Sequence, residues 1–381
     1  MVESHLPLRI RHLSRATRAV TLFLAGDVMT GRGIDQILPR PGDPRLFEPY
    51  VSSAREYVAL AERANGPLPR PAGFSYIWGD ALAELERASP DARIVNLETA
   101  VTRSDDAWPG KGIHYRMSPA NLPCLAAARL DCCVLANNHV MDWGASGLAE
   151  ALDALRAAGL RTAGAGRDEA EAQAPALIEH RQAGRVLVFA CASETSGVPR
   201  EWAAGPRHPG VCLLDELSAR GAEALARRIG AQRRRGDIVV ASIHWGGNWG
   251  YDVDAGQRAF ARALIDRAGV DVVHGHSSHH PKGIEIYRER PILYGCGDLI
   301  NDYEGIEGNE AFRPELSLMY FPVFDADSGR LVEFSLAPMR LRRMRLERAT
   351  PDAAAWLRVA LGRLGTRIEP RGEHGLSLRL D

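Results

Sequence analysis

Seven short apolar runs, rich in β-branched residues, recur along this chain, and each closes on a residue that offers lone pairs or allows a sharp turn. They are "VTLFLAGD" (20–27), "ARIVNLE" (92–98), "DCCVLANNH" (131–139), "RVLVFACAS" (185–193), "DIVVASIHWG" (237–246), "VDVVHGH" (270–276) and "PILYGCGD" (291–298). Short continuous runs bounded by such residues read as strands buried on both faces. Amphipathic stretches lie between them. "GLAEALDALRAAG" sets Leu148, Leu152 and Leu155 at helical spacing and stops at Gly159; "DAGQRAFARALIDRAG" does the same with Phe260, Ala263 and Leu264 and stops at Gly269. This alternation predicts an α/β core, whose ligands gather beyond the carboxyl ends of its strands.

Two regions break the rhythm. Residues 39–80 are Pro-rich with a short helix inside, which reads as an insertion over one face of the sheet and a candidate lid. After Phe312 the pattern alternates apolar and polar residues across a "DADSG" turn, so antiparallel strands close the fold, and "PDAAAWLRVALGRLG" forms a final helix from Pro351. The expected organisation is an N-terminal extension (1–19), one domain (20–345) carrying the insertion, and a C-terminal helical extension (346–381).

Charge narrows the classes of partner. With 47 basic and 48 acidic residues the formal net charge is −1, so no global field favours nucleic acid or an anionic membrane, and anion recognition must come from placed residues. The N-terminal twenty residues lack an apolar core segment, and nowhere do about 18 apolar residues run together, which predicts a cytoplasmic chain without a membrane anchor. The six cysteines are scattered, several inside strand-like runs, and read as reduced core thiols. Oligomeric state has no signature in the sequence.

The strand ends hold the chemistry. Asp27 closes the first run, Glu98 the second, Asn138 and His139 the third, His244 the fifth, and His276 with His279 the sixth, where "HGHSSHH" packs four histidines into seven positions. Singly, each has an ordinary use: Asp27 as a helix cap, Asn138 in a left-handed turn, His244 as a satisfied core histidine. Together they form a mixed carboxylate, amide and imidazole set suited to one or two ions of Mn²⁺, Zn²⁺ or Fe. Two such ions bridged by a carboxylate are the equipment of a hydrolase. Arg32 in "GDVMTGR" and Lys111 and Arg116 in "WPGKGIHYR" are candidates for holding an anionic substrate group. Asp298, Asn301 and Asp302 in "GDLINDYEG" are candidates for completing the wall of the site or binding a supporting histidine, and its acids could equally form a turn.

In this order, "GDVMTGR", "NLET", "NNHVMDWG", "HWG", "GHSSHHPKGIE" and "YGCGD" resemble the CapA-type family of poly-γ-glutamate capsule synthesis proteins, itself similar to calcineurin-like metallophosphatases. The resemblance spans about residues 20–302 and implies a four-layer α/β/β/α sandwich of metallophosphatase type with a dinuclear metal site. It implies Asp27 as ligand to the first metal, Glu98 as the bridge, Asn138, His244 and one of the His276–His279 group on the second metal, and His139 as an acid or anion-stabilising histidine. His276 and His279 are the expected pair, leaving His274 and His280 supporting roles. One departure stands out. Met29 occupies the position where the metallophosphatase pattern has a histidine, so the first metal loses a nitrogen donor. The implied function is a metal-dependent hydrolase of an anionic phosphoester or γ-glutamyl amide, with a non-hydrolytic acidic-polymer-binding component of a capsule synthesis complex as the alternative.

Overall fold

The computed structural model of the protein describes residues 19–180 and 184–380, so the expected N-terminal extension lies outside the described residues except for Ala19. All seven apolar runs contain strands: Ala19–Val28, Ala92–Leu97, Cys132–Val134, Gly184–Ala192, Ile238–His244, Val272–His276 and Arg290–Leu293. They divide between two large sheets in a mixed α/β architecture. In the first, Ala19–Val28 is central: Ala92–Leu97, Cys132–Val134 and Arg161–Ala163 follow parallel on one side, and Leu316–Asp325 and Leu331–Arg342 follow antiparallel on the other. In the second, Arg290–Leu293, Val272–His276, Ile238–His244 and Gly184–Ala192 run parallel, with Ile284–Tyr287 and Ala176–His180 antiparallel at the edges.

Side-chain alternation shows why the parallel runs are apolar throughout. In the second sheet Val186, Val188, Ile238, Val240 and Val272 join one core with Leu24 and Ile94 of the first sheet, while Leu187, Phe189, Val239, Ala241 and Val273 join a second core with Leu225, Ile229, Phe260 and Leu264. Successive strand residues point to opposite faces, so both faces are covered: one by the other sheet, one by the helices Ala222–Gln232 and Ala255–Ala268.

The helix boundaries follow local chemistry. Asp254 and Gln257 close a capping box at the start of Ala255–Ala268, and Gly269 ends it in the left-handed region at φ 63. Gly159 (φ 77) ends Gly144–Ala157 with a Schellman pattern, its N–H reaching Arg156 O while Leu160 N reaches Leu155 O, each at 3.0 Å. The insertion carries the helix Arg55–Asn65 and a small cluster of Leu46, Ala54 and Tyr57.

The C-terminal segment departs from the expected helical extension. After Pro351–Leu361, the strands Ile368–Arg371 and Gly375–Leu378 form a hairpin that pairs with Leu331–Arg342 and extends the first sheet. Its strands are too short and mixed for periodicity to reveal; pairing with an existing edge stabilises them. Among the described residues, no helix is long and apolar enough to cross a membrane.

Candidate metal centre

The carboxyl ends of the parallel strands in both sheets converge. Asp27 stands near the end of its strand, and Asp298 of the short strand Asp298–Ile300 pairs directly with it. That approach depends on Gly26, where a Cβ would lie 1.9 Å from Gly297 O, and Gly275 is confined in the same way, 2.5 Å from Leu293 O. From the second sheet come His244 and His276, which are register partners. Immediately after His276 the chain turns through Ser277 at φ 105, an uncommon backbone state for a non-glycine residue, and Ser277 N donates to Asp27 Oδ2 at 3.3 Å.

Two buried triads result. Asp27, His244 and His276 bring one ligand atom each within 4.8 Å of one another, and so do Asp27, His279 and Asp298. Asp27 is the carboxylate common to both, where the sequence reading placed the bridge at Glu98. Glu98 stands at the rim of the first triad, with Oε2 3.8 Å from His244 Nδ1 and Oε1 3.9 Å from His139 Nε2. Asn96 Nδ2 links the two acids, donating to Asp27 Oδ1 at 2.7 Å and to Glu98 Oε2 at 2.9 Å. Asn137 in turn donates to Asn96 Oδ1 at 3.0 Å.

Burial and mutual repulsion dominate the electrostatics of this cluster. Burial, then repulsion from Asp298, pushes the Asp27 carboxyl up to about 7, and burial with Asp27 and Asp298 holds Glu98 well above the ordinary glutamate range. Burial drives His244 and His276 far below the usual imidazole value, so both are neutral. His279 goes the other way: burial opposes its charge, but the Asp298 carboxylate 2.9 Å from Nδ1 raises it. Three buried acids so close together favour either proton uptake or a bound cation, and the cluster is one that a cation would suit.

Proton accounting shows which histidine nitrogens carry lone pairs. His274 Nε2 lies 2.9 Å from Ala25 O, which only accepts, so Nε2 carries the hydrogen and Nδ1 of this neutral ring is a lone pair. Ser242 Oγ, 3.0 Å from that Nδ1, therefore spends its only hydrogen there and accepts from His276 Nε2 at 2.9 Å. His276 Nδ1 is left bare. His244 Nδ1 lies 2.8 Å from it, and His244 Nε2 lies 3.0 Å from Asn138 Oδ1. A neutral imidazole has one N–H, so with Asn138 Oδ1 facing Nε2 one of these contacts sets lone pair against lone pair; an amide turned to present Nδ2 would remove the conflict, and so would a bound cation. The residues present thus fit a divalent transition ion on observations of this structure alone.

His139 stands beside the first triad. Its Nδ1 lies 2.7 Å from Asp142 Oδ2, and Lys111 Nζ contacts the same edge while bonding Asp142 Oδ1. Asp142 accepts and the Lys111 ammonium donates, so the two compete for Nδ1; with the hydrogen on Nδ1 toward the shorter Asp142 contact, the lone pair lies on Nε2, which faces Glu98 and the site. Burial pushes His139 down to about 4 despite Asp142.

The structure separates the other expected residues. Lys111 belongs to the site. Arg116 does not: its guanidinium bonds Ser104 O and Asp105 Oδ1, stacks 3.8 Å over Trp143 and is 6% exposed. Arg32, 3% exposed, is committed to Asp302 and Glu48 and lies over the Tyr57 and Tyr115 rings, so it is not offered to a ligand. The sequence reading missed Ser242 and Asp142; an acid three residues after His139 was the available signal for Asp142. Asp298, a candidate for the wall or for binding a histidine, contacts His279 and joins it in a triad.

Comparison with known proteins follows the same residues. The model of the family described as "Bacterial capsule synthesis protein PGA_cap" matches residues 21–303. The chain is 49% identical over 350 residues, 92% of each chain, to a Mycobacterium tuberculosis protein named "Probable polyglutamine synthesis accessory protein". It is 26% identical to the "PGA biosynthesis protein CapA" of Bacillus subtilis, across 73% of this chain and 62% of that one, and 24% identical to the "Capsule biosynthesis protein CapA" of Bacillus anthracis, across 76% and 61%. With its strand-end acids, amide and histidines all inside the matched span, the chain belongs to the bacterial capsule synthesis protein family PGA_cap.

Proposed function

We propose that the protein is a divalent-metal-dependent hydrolase acting on an anionic substrate, a γ-glutamyl-type amide or a phosphoester, in poly-γ-glutamate or capsule metabolism. The observation that carries this reading is the pair of buried triads sharing Asp27, with His139 Nε2 turned toward them. On this reading the two facing sheets and their helices are the four-layer sandwich of the metallophosphatases. The names of the Bacillus and Mycobacterium relatives support a glutamate polymer as the context.

Asp27, His244 and His276, with Asn138 and Glu98 at the rim, would hold one ion; Asp27, His279 and Asp298 would hold another. Bound there, Mn²⁺, Zn²⁺ or Fe supplies Lewis acidity and a nucleophile at neutral pH. The protein's own groups do the rest. Asp142 fixes the His139 ring by Nδ1, leaving Nε2 to take up a proton and return it to the leaving group. Lys111, its side chain 15% exposed, places a positive charge at that edge for an anionic substrate.

The accessory description of the mycobacterial relative favours a second reading, in which the same cleft binds an acidic polymer without cleaving it. Buried acids repel such a polymer, so this reading too needs the cations. The test is elemental analysis of purified protein, followed by assay of the metal-loaded protein on phosphoesters and γ-glutamyl peptides. Metal-dependent turnover of either class supports the hydrolase; a fully metallated protein that turns over neither and retains acidic polymer supports the second reading.

A further inference from the structure

On the helix-covered face of the second sheet, two cysteines and an arginine form a cluster that the proposed hydrolysis does not use. Cys191 lies in the strand Gly184–Ala192, and Cys212 follows the short strand Gly210–Val211. Their Sγ atoms are 3.1 Å apart, and Arg228 of the helix Ala222–Gln232 reaches both, Nη1 lying 3.2 Å from Cys212 Sγ and Nη2 3.7 Å from Cys191 Sγ. Ala192 N donates to Cys212 O at 2.9 Å and Leu214 N to Ala192 O at 2.8 Å, in a parallel bridge between Ala192 and Leu213 that sets the two cysteines opposite each other. Neighbouring strands lie about 4.8 Å apart, inside the Cα separation of about 4.4–6.8 Å that a disulfide spans. The two sulfurs can close with little backbone movement.

The pair is also electronically asymmetric. One thiol donates to the other, and Arg228, nearer to Cys212, favours that sulfur as the thiolate: the shared hydrogen bond and Arg228 lower Cys212 against burial, while Cys191 is raised. Burial pushes Cys124, Cys132, Cys133 and Cys296 up. Cys212 keeps 4% of its residue surface exposed and Cys191 none, so the pair admits only a very small oxidant.

We propose that Cys191 and Cys212 are a peroxide-reactive dithiol that closes reversibly to an intramolecular disulfide. The Cys212 thiolate attacks one oxygen of hydrogen peroxide; the O–O bond breaks, hydroxide leaves and is protonated to water, and Cys212 becomes a sulfenic acid. Cys191 sulfur then attacks that sulfur, the S–O bond breaks, and the oxygen leaves as a second water. Two thiols and one peroxide give one disulfide and two waters. The crosslink ties the segment after Trp202 to the strand that neighbours Ile238–His244.

The test treats the native purified protein with hydrogen peroxide, alkylates it under denaturing conditions and maps it by mass spectrometry. The expected result is that two of the six thiols become unavailable, the chain loses the mass of two hydrogens, a peptide pair joined through Cys191 and Cys212 appears, and dithiothreitol reverses all three. In Cys191→Ser, dimedone should trap a sulfenic acid at Cys212. In Arg228→Leu the peroxide reaction should reach half-maximal rate at a higher pH than in the wild type, whose midpoint should lie near 6. A crosslink between other cysteines, or six intact thiols after a reference thiol in the same tube is consumed, overturns the proposal without reliance on any variant.

Discussion

His274 donates from Nε2 to the Ala25 carbonyl at 2.9 Å, a hydrogen bond that crosses from the second large sheet to the first only two residues before Asp27. It holds the two strand ends in mutual register. It also starts the chain of donors and acceptors that leaves His276 Nδ1 bare, through the single hydroxyl of Ser242.

That relay can be cut without touching a ligand. Ser242→Ala removes the acceptor that fixes the His276 tautomer, so affinity for Mn²⁺ or Zn²⁺ should fall by about 10–100-fold. Chelator competition measures it, with circular dichroism as a check on folding. Unchanged affinity would show that the tautomer is set by some other contact.

Asp27 belongs to both triads and Asp298 to one. Asp27→Asn should therefore abolish tight binding at both positions, whereas Asp298→Asn should remove one ion and leave the other. The donor sets also differ, two imidazoles against one, and Met29 adds no nitrogen, so the two positions of the wild type should fill unequally. Metal titration with calorimetric or elemental readout decides both points, and two equally tight sites would contradict the second.

His139→Asn should lower turnover by about a hundredfold to ten-thousandfold while metal content stays near wild type. Asp142→Asn, which leaves the ring in place and removes the acceptor that fixes its Nδ1 hydrogen, should move kcat in the same direction. Intact kcat in both variants, measured on metal-loaded protein, would remove this histidine from the chemistry.

Arg32 is expected to matter for stability. Arg32→Met strands Asp302 and Glu48 as buried acids and should cost about 3–5 kcal/mol. Denaturant unfolding measures the loss. A variant as stable as the wild type that instead binds substrate poorly would return Arg32 to the role first read from the sequence.

Local chemistry made much of this legible in the sequence. Continuous apolar runs marked the parallel strands because burial on both faces demands them, glycine marked the ends of the two main helices because the left-handed turn demands it, and polar residues at the run ends located Asp27, Glu98, His139, His244, His276 and His279. Tertiary structure decided how those groups pair. Asp298 stands beside Asp27 through strand register across 271 positions of chain, and Arg32 meets Asp302 across 270, turning a candidate anion binder into a buried structural cation. Which carboxylate both triads share, and which nitrogen of each histidine is bare, depend on contacts between strands that sequence spacing does not encode, because hydrogen bonds and Coulomb forces act over a few ångströms of space rather than along the chain.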